Sequence, residues 1–245
     1  MIGIRFRGGP LSKVSHNIEE QLCSELFDGM TIAAGGFGLC GIPSTLIDIV
    51  RDSGVKDLTV VSNNLAIDGV GLGRLLEGGQ ISRVLASYIG ENKLFMEQYL
   101  SGAVDVEFVP QGTLAERMRA GGAGIAAFYT RTGVGTEIAK GKPTAEFNGE
   151  TYLMERAIEA DVALVHAYTS DIQGNLRYRL AARNFNPVVA QCGKVTFAEA
   201  EHIVDRGELG PDDIHTPSVF IHHLTQALIL NEIEQVINRP RPEAL

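Results

Sequence analysis

The feature that most constrains this chain is a regular alternation of short apolar runs with amphipathic ones over residues 16–119. Residues 16–27 read as a helix and Asp28-Gly29 as a turn. "MTIAAGG" (30–36) reads as a buried strand. Pro43 stands at a first helical position ahead of Leu46, Ile47, Ile49 and Val50, with Gly54 as the stop. "DLTVVS" (57–62), "ISRVLASYI" (81–89) and "VDVEFVP" (104–110) are further strands, separated by helical runs at 72–79 and 92–102. Thr113 and Glu116 spell a T-x-x-E capping box for a helix through Arg119. Strands and helices in strict alternation predict an α/β fold, an open and mostly parallel sheet flanked by helices.

The second half is less regular. Residues 121–144 read as a long glycine-rich loop region, a kind of segment that is usually functional or disordered. "EFNGETYLME" (146–155) reads as a hairpin turning at Asn148-Gly149, and "DVALVHAY" (161–168) as a buried strand. "KVTFAEAEHIV" and "SVFIHHL" supply strand or edge segments. Neither a repeat nor a linker interrupts the 245 residues, which predicts one domain over 1–245 with an exposed or partner-bound tail at 232–245.

A net charge of −9, from 21 Lys and Arg against 30 Asp and Glu, argues against a general nucleic-acid or membrane-surface binder, which would need a basic face, and leaves room for a polyanionic ligand held by a few local Arg or Lys. Cys23, Cys40 and Cys192 are far apart and form no C-x-x-C, so a reducing compartment is expected and a zinc ribbon is not. No apolar run reaches the ~20 residues of a membrane-spanning helix. The N-terminus lacks the apolar core of a signal peptide, and cytoplasm is the expected location.

Gly36-Phe37-Gly38-Leu39-Cys40-Gly41 is a literal G-x-G-x-x-G between a strand and a helix. A dinucleotide site also needs an acid at the end of the next strand to hold the ribose. That strand ends in Ser62-Asn63-Asn64 instead. The motif alone leaves a dinucleotide loop and a tight turn without ligand both open. Cys40 lies beside a helix start, where a thiol pKa can fall, although a packing role is the simpler reading. His222 and His223 point to opposite faces of a strand and make a poor metal pair. Gln111 follows a strand at its carboxyl end, where open α/β sheets place ligands.

Five segments taken together identify a resemblance: "DGMTIAAGGFGLCGIP", "VVSNN", "PQGTLAERMRAGGAGIAAFYTRTGVGT", "ARNFNP" and "GELGPDDIHTP". They are similar to the α subunit of the two-subunit family I CoA transferases, over about residues 20–225. The resemblance implies a homologous β partner, in an αβ or α2β2 assembly, and a ping-pong reaction through an acyl-glutamyl anhydride and a glutamyl-CoA thioester. It implies no metal and no redox cofactor, with CoA as a co-substrate. The nucleophilic glutamate would belong to the β subunit. Asn63 stands where that subunit carries it, and an amide cannot ionise to attack but can donate N–H bonds to an oxyanion. Asn63, Asn64 and Gln111 are therefore expected to shape the acyl pocket, and Gly36, Phe37, Gly38 and Gly41 its loop. The glycine-rich segment 121–135 would form a pocket wall or subunit contact. Arg117, Arg119, Arg131 and Arg183 could meet a carboxylate or the CoA phosphates. Glu91, in a Gly-Glu-Asn that mimics the nucleophile segment, reads as a helix-start residue. Succinyl-CoA and acetoacetate are the expected pair, with 3-oxoadipate and acetate or butyrate transferases, a CoA-thioester hydrolase subunit and a non-catalytic ligand-binding domain as alternatives.

Overall fold

The computed structural model describes residues 12–230; residues 1–11 and 231–245, which include the expected tail 232–245, lie outside the described residues. In chain order the elements are α1 (Ile18–Glu25), β1 (Thr31–Ala34), α2 (Ser44–Ser53), β2 (Leu58–Val61), α3 (Gly73–Glu77), β3 (Ile81–Ala86), α4 (Lys93–Ser101), β4 (Asp105–Phe108) and α5 (Gln111–Gly122). They continue as β5 (Ala127–Thr130), β6 (Thr144–Phe147), β7 (Glu150–Arg156), β8 (Ala160–Asp171), β9 (Leu176–Arg177), α6 (Asn186–Cys192), β10 (Gly193–Val204) and β11 (His223–Gln226).

The main sheet runs β11-β10-β8-β1-β2-β3-β4, with β9 paired to β8. Every pair along this path is parallel, and β8–β9 alone is antiparallel. Alternate residues of each strand enter opposite cores, as the period of two requires. Ile32, Ala34, Val60, Val84, Val162 and Leu164 face one core together with Leu46, Ile47 and Phe95. Ala33, Val61, Leu85, Ala163 and Val165 face the other, against Leu114 and Met118 of α5 and Val189 of α6. The sheet is thus covered on both faces, as a parallel sheet must be.

Strand order sets the location of any site. From β1 the chain steps outward through β2, β3 and β4; from β8 it steps the other way through β10 and β11. The order therefore reverses between β1 and β8. Loops leaving these two neighbours diverge above the sheet and open a crevice, the place where open α/β sheets bind ligands.

Several local readings change. The loop region predicted over 121–144 is partly strand, because β5 pairs with β7 and β6 with β7 in a separate antiparallel sheet. The hairpin turn is where the sequence puts it, with positive φ at Asn148 (53°) and Gly149 (76°). Its exposed face carries Tyr129, Phe147 and Tyr152 in edge-to-face contact at 5.3 Å. Thr113 is not a cap. Pro110 is the N-cap of α5, which begins at Gln111, so Thr113 lies inside the helix and is buried. The helix continues past Arg119 to Gly122, and Glu116 engages Arg119 instead of the helix end. Pro43 is likewise the N-cap of α2 and not its first residue, while Gly54 closes the helix in the left-handed region (φ 71°) as expected.

Candidate active site

A cavity of about 740 Å³ occupies the crevice above β1 and β8. One wall is the loop 36–42 between β1 and α2. A tight turn closes it, with Phe37 and Cys40 exchanging both backbone hydrogen bonds at 3.0 Å. Gly36 sits at φ 111°, and a Cβ there would stand 3.1 Å from Ile42 Cα. Gly41 sits at φ 70°, and its Cβ would meet the Ala182 carbonyl oxygen at 2.8 Å. These two glycines are needed for backbone conformation and close approach. Phe37, Gly38 and Gly41 line the cavity; Gly36 lies buried just behind them.

The opposite wall is the turn 179–182, and two asparagines stitch it to the glycine loop. Asn184 Nδ2 donates to the Cys40 and Ala181 carbonyls at 2.9 and 2.8 Å. Asn186, fully buried, donates from Nδ2 to the Gly41 and Ala182 carbonyls at 2.9 Å each. Its Oδ1 accepts the His166 backbone N–H at 3.0 Å. Gly35 leaves room for this amide: a Cβ there would fall 1.9 Å from Asn186 Oδ1. Leu180, at φ 50°, holds a backbone conformation uncommon for its type, and this network keeps it there.

At the end of β2, Asn64 lines the cavity. Its Oδ1 accepts the Ala66 N–H at 3.1 Å, which leaves its amide N–H donors beside Gly90, where a Cβ would stand 3.4 Å from Nδ2. Asn63 lies one layer deeper, 1% exposed and outside the cavity lining. Its Nδ2 donates to Ser87 Oγ at 2.7 Å, and its buried Oδ1 has no partner among the described residues. Gln111 heads α5 on the surface and is not part of the lining. Glu91 lines the cavity, but the helix start there is made by Asn92, whose side chain caps Phe95 N–H. Residues 121–135 contribute nothing to this cavity; Phe128, Tyr129, Thr130 and Thr132 border a separate pocket against Gly112, Thr113 and Glu116.

The deepest charged group was missed by sequence reasoning. His166, in the middle of β8, bridges two carboxylates of β10: Nδ1 to Glu199 Oε1 at 2.8 Å and Nε2 to Glu201 Oε1 at 3.2 Å. Strand register makes this contact, since His166 pairs directly with Glu199 and Glu201 lies two residues further along the same face. Burial acts to lower the His166 pKa, but the hydrogen bond and charge of Glu199, then those of Glu201, outweigh it and raise the pKa. Burial pushes Glu199 up as well, against His166 and the backbone N–H groups at the start of α2, where Leu46 N–H reaches Glu199 Oε2 at 3.0 Å. All the donors around Glu199 point to a carboxylate, so we place the shared proton on the imidazole. The signal available was a lone histidine in an apolar strand and a Glu-Ala-Glu in another.

Of the arginines proposed from sequence, three are engaged elsewhere. Arg117 pairs with Glu107 at 2.6 Å, Arg119 with Glu116 at 2.6 Å and Arg131 with Glu150 at 2.7 Å. Arg183 lies near the cavity without lining it, and the arginine that does line it is Arg179. Burial raises the Cys40 pKa, so this thiol is not activated. His222 Nδ1 accepts the Thr196 N–H at 3.0 Å and the His223 ring stacks on Phe197, both structural roles. Among the described residues, no group of three or more His, Cys, Asp or Glu is placed to hold a metal ion.

Fold and crevice define a class: open α/β proteins that bind ligand where two outward-winding halves of a parallel sheet meet. The chain belongs to the coenzyme A transferase family, whose profile matches residues 16–227. It is 61% identical over 199 residues to the A subunit of the probable succinyl-CoA:3-ketoacid coenzyme A transferase of Bacillus subtilis, covering 81% of this chain and 84% of that one. With the A subunit of the succinyl-CoA:3-ketoacid coenzyme A transferase of Helicobacter pylori strain J99 it shares 55% identity over 214 residues, 87% and 92% of the two chains. In three dimensions it resembles an acyl-CoA transferase of Escherichia coli O157:H7 in a thioester complex with CoA, with a TM-score of 0.76 and 20% identity. That match covers 88% of this chain and 47% of the longer one, and at this identity it speaks for the fold alone.

Proposed function

We propose that this chain is one half of a two-chain enzyme that moves CoA between succinyl-CoA and a 3-oxo acid, with acetoacetate as the expected acceptor. The observation that carries the reading is an amide, Asn64, at the β2 end of the crevice, in a chain 61% identical to one named for that transfer. In this reading a glutamate supplied by the partner chain attacks the thioester carbonyl and expels CoA thiolate, giving an acyl-glutamyl anhydride. CoA thiolate then attacks the glutamyl carbonyl and releases the acid, leaving a glutamyl-CoA thioester. The incoming acid reverses both steps. This chain contributes N–H donors toward the developing oxyanion from Asn64, supported by Asn63 behind it. Gln111, exposed at the head of α5, could reach the acyl group only in the assembled enzyme. The chemistry uses carboxylates and a thiolate and calls for neither metal nor redox cofactor, and the assembly is expected in the cytoplasm as αβ or α2β2.

The test is reconstitution. The chain alone should be inactive, and the chain with its partner should form acetoacetyl-CoA from succinyl-CoA and acetoacetate. Mass spectrometry should find CoA bound to the partner chain, and borohydride should release it by reducing the glutamyl thioester there to an alcohol. Full activity from the isolated chain, or CoA trapped on it, would overturn the division of labour. Turnover with water as sole acceptor would instead indicate a hydrolase.

A further inference from the structure

The cavity holds four charged side chains: Glu91, His166, Arg179 and Glu201. Both nitrogens of His166 are committed to Glu199 and Glu201. Arg179 is different. It forms no ion pair among the described residues, although fourteen ion pairs form elsewhere, in a chain that carries nine more acids than bases. Its guanidinium instead lies over the Tyr168 ring, 5.1 Å from the centroid, and that ring packs edge-on against His202 at 4.9 Å. The contact with the ring face leaves the N–H fork of the guanidinium without a carboxylate partner among the described residues, and that fork matches a carboxylate in two parallel hydrogen bonds. The backbone agrees: Arg179 is extended, and the next residue, Leu180, is held at φ 50° by a turn bound through Asn184 and Asn186 to the glycine loop. An anion entering the cavity meets the carboxylates of Glu91 and Glu201, so a fixed cation is needed to admit it.

From this placement we infer that Arg179 is a specificity-determining residue that binds the remote carboxylate of a dicarboxylic acyl group while the reacting carbonyl lies toward Asn64. Asn64 follows β2, and Arg179 follows β9, which continues the β1 edge of β8. Both side chains line the one cavity of about 740 Å³, which leaves room for a short chain such as a four-carbon diacid hydrogen-bonded at each end. The inference rests on the proposed function, and it separates the two acids of that reaction: the diacid needs Arg179, and the 3-oxo acid, with one carboxylate, does not.

The experiment uses the reconstituted two-chain enzyme with Arg179→Gln and Arg179→Lys. Isotope exchange is measured for succinate with succinyl-CoA and, separately, for acetoacetate with acetoacetyl-CoA. Arg179→Gln should lower kcat/KM for the succinate exchange about 10- to 100-fold more than for the acetoacetate exchange, mainly through KM. Arg179→Lys should recover only part of that ratio, because an ammonium lacks the fork. Equal losses in both exchanges would overturn the inference. So would a loss that tracks the 3′-phosphate when dephospho-CoA esters are compared with CoA esters, since the oxyanion at Arg179 would then be a phosphate. A wild-type enzyme that exchanges acetoacetate but not succinate would refute the proposed substrate pair itself, which is a separate outcome. Arg179 is exposed, so melting curves of the variants should match the wild type.

Discussion

At the scale of single residues, the site divides into groups that meet substrate and groups that hold them in place. In the proposed enzyme Asn64 belongs to the first kind. Asn64→Ala should lower kcat about 10²–10³-fold, equivalent to ~3 kcal/mol, with little change in KM, as loss of an oxyanion donor does. Steady-state kinetics of the reconstituted enzyme decide this. With the nucleophile on the partner chain, as proposed, Glu91→Gln should keep most of the activity although this carboxylate lines the cavity; loss of all turnover would reassign it. His166 belongs to the second kind. Its folded pKa lies above the unfolded value, so its contribution to stability is complete below about pH 6.5 and is lost as pH rises through the folded pKa. The melting temperature should therefore fall, as pH rises above about 6.5, more steeply in the wild type than in His166→Gln. The substituted protein should also be less stable by about 3 kcal/mol, because buried Glu199 loses its partner. Asn64 was legible at the sequence level because a motif ends a strand there. His166, Glu199 and Arg179 were not. Their meaning depends on parallel pairing between strands 33 residues apart in sequence and on a turn whose conformation no local pattern announces.

At the scale of elements, the cavity walls depend on one amide. Asn186→Ala would leave the Gly41 and Ala182 carbonyls and the His166 N–H without their partner, at ~1–3 kcal/mol for each group left buried. Denaturant unfolding should show a loss of about 3 kcal/mol or more. Because both walls loosen, kcat should fall too, although Asn186 does not line the cavity. The alternation of strands and helices was readable, since buried parallel strands are short apolar runs and helices show their own period. Its failures share a cause. Thr113-x-x-Glu116 has the spelling of a cap, but Pro110 fixes the helix start three residues earlier. β5 was missed because a strand of four residues in a glycine-rich region forms only against β7, across an intervening loop that carries no pairing signal.

At the scale of the whole molecule, the rim of the cavity is apolar and uncovered: Phe37 is 44% exposed, Tyr88 54% and Leu180 86%. In the proposed enzyme the partner chain covers these side chains. Leu180→Asp should leave the isolated chain folded, since the side chain is in solvent, yet weaken assembly by about tenfold or more in size-exclusion chromatography or titration calorimetry. An unaltered affinity would place the contact elsewhere.

The reversal of strand order also dictates a timetable. β1 to β4 and their helices occupy a continuous stretch ending at Phe108, and they can pair as soon as they emerge from the ribosome. The other neighbour of β1 is β8, which meets Ile32 with Val162, 130 residues later. Until then β1 presents an open hydrophobic edge in a half-formed sheet, the kind of template on which chains aggregate. Closing so long a segment is slow, because loop entropy must be spent before the pairing returns it. Pulse-labelling hydrogen exchange should therefore protect Val60 and Val84 before Ala163 and Ala198. The crevice, being the seam between the early half and the late one, is the last part of the molecule to come into existence.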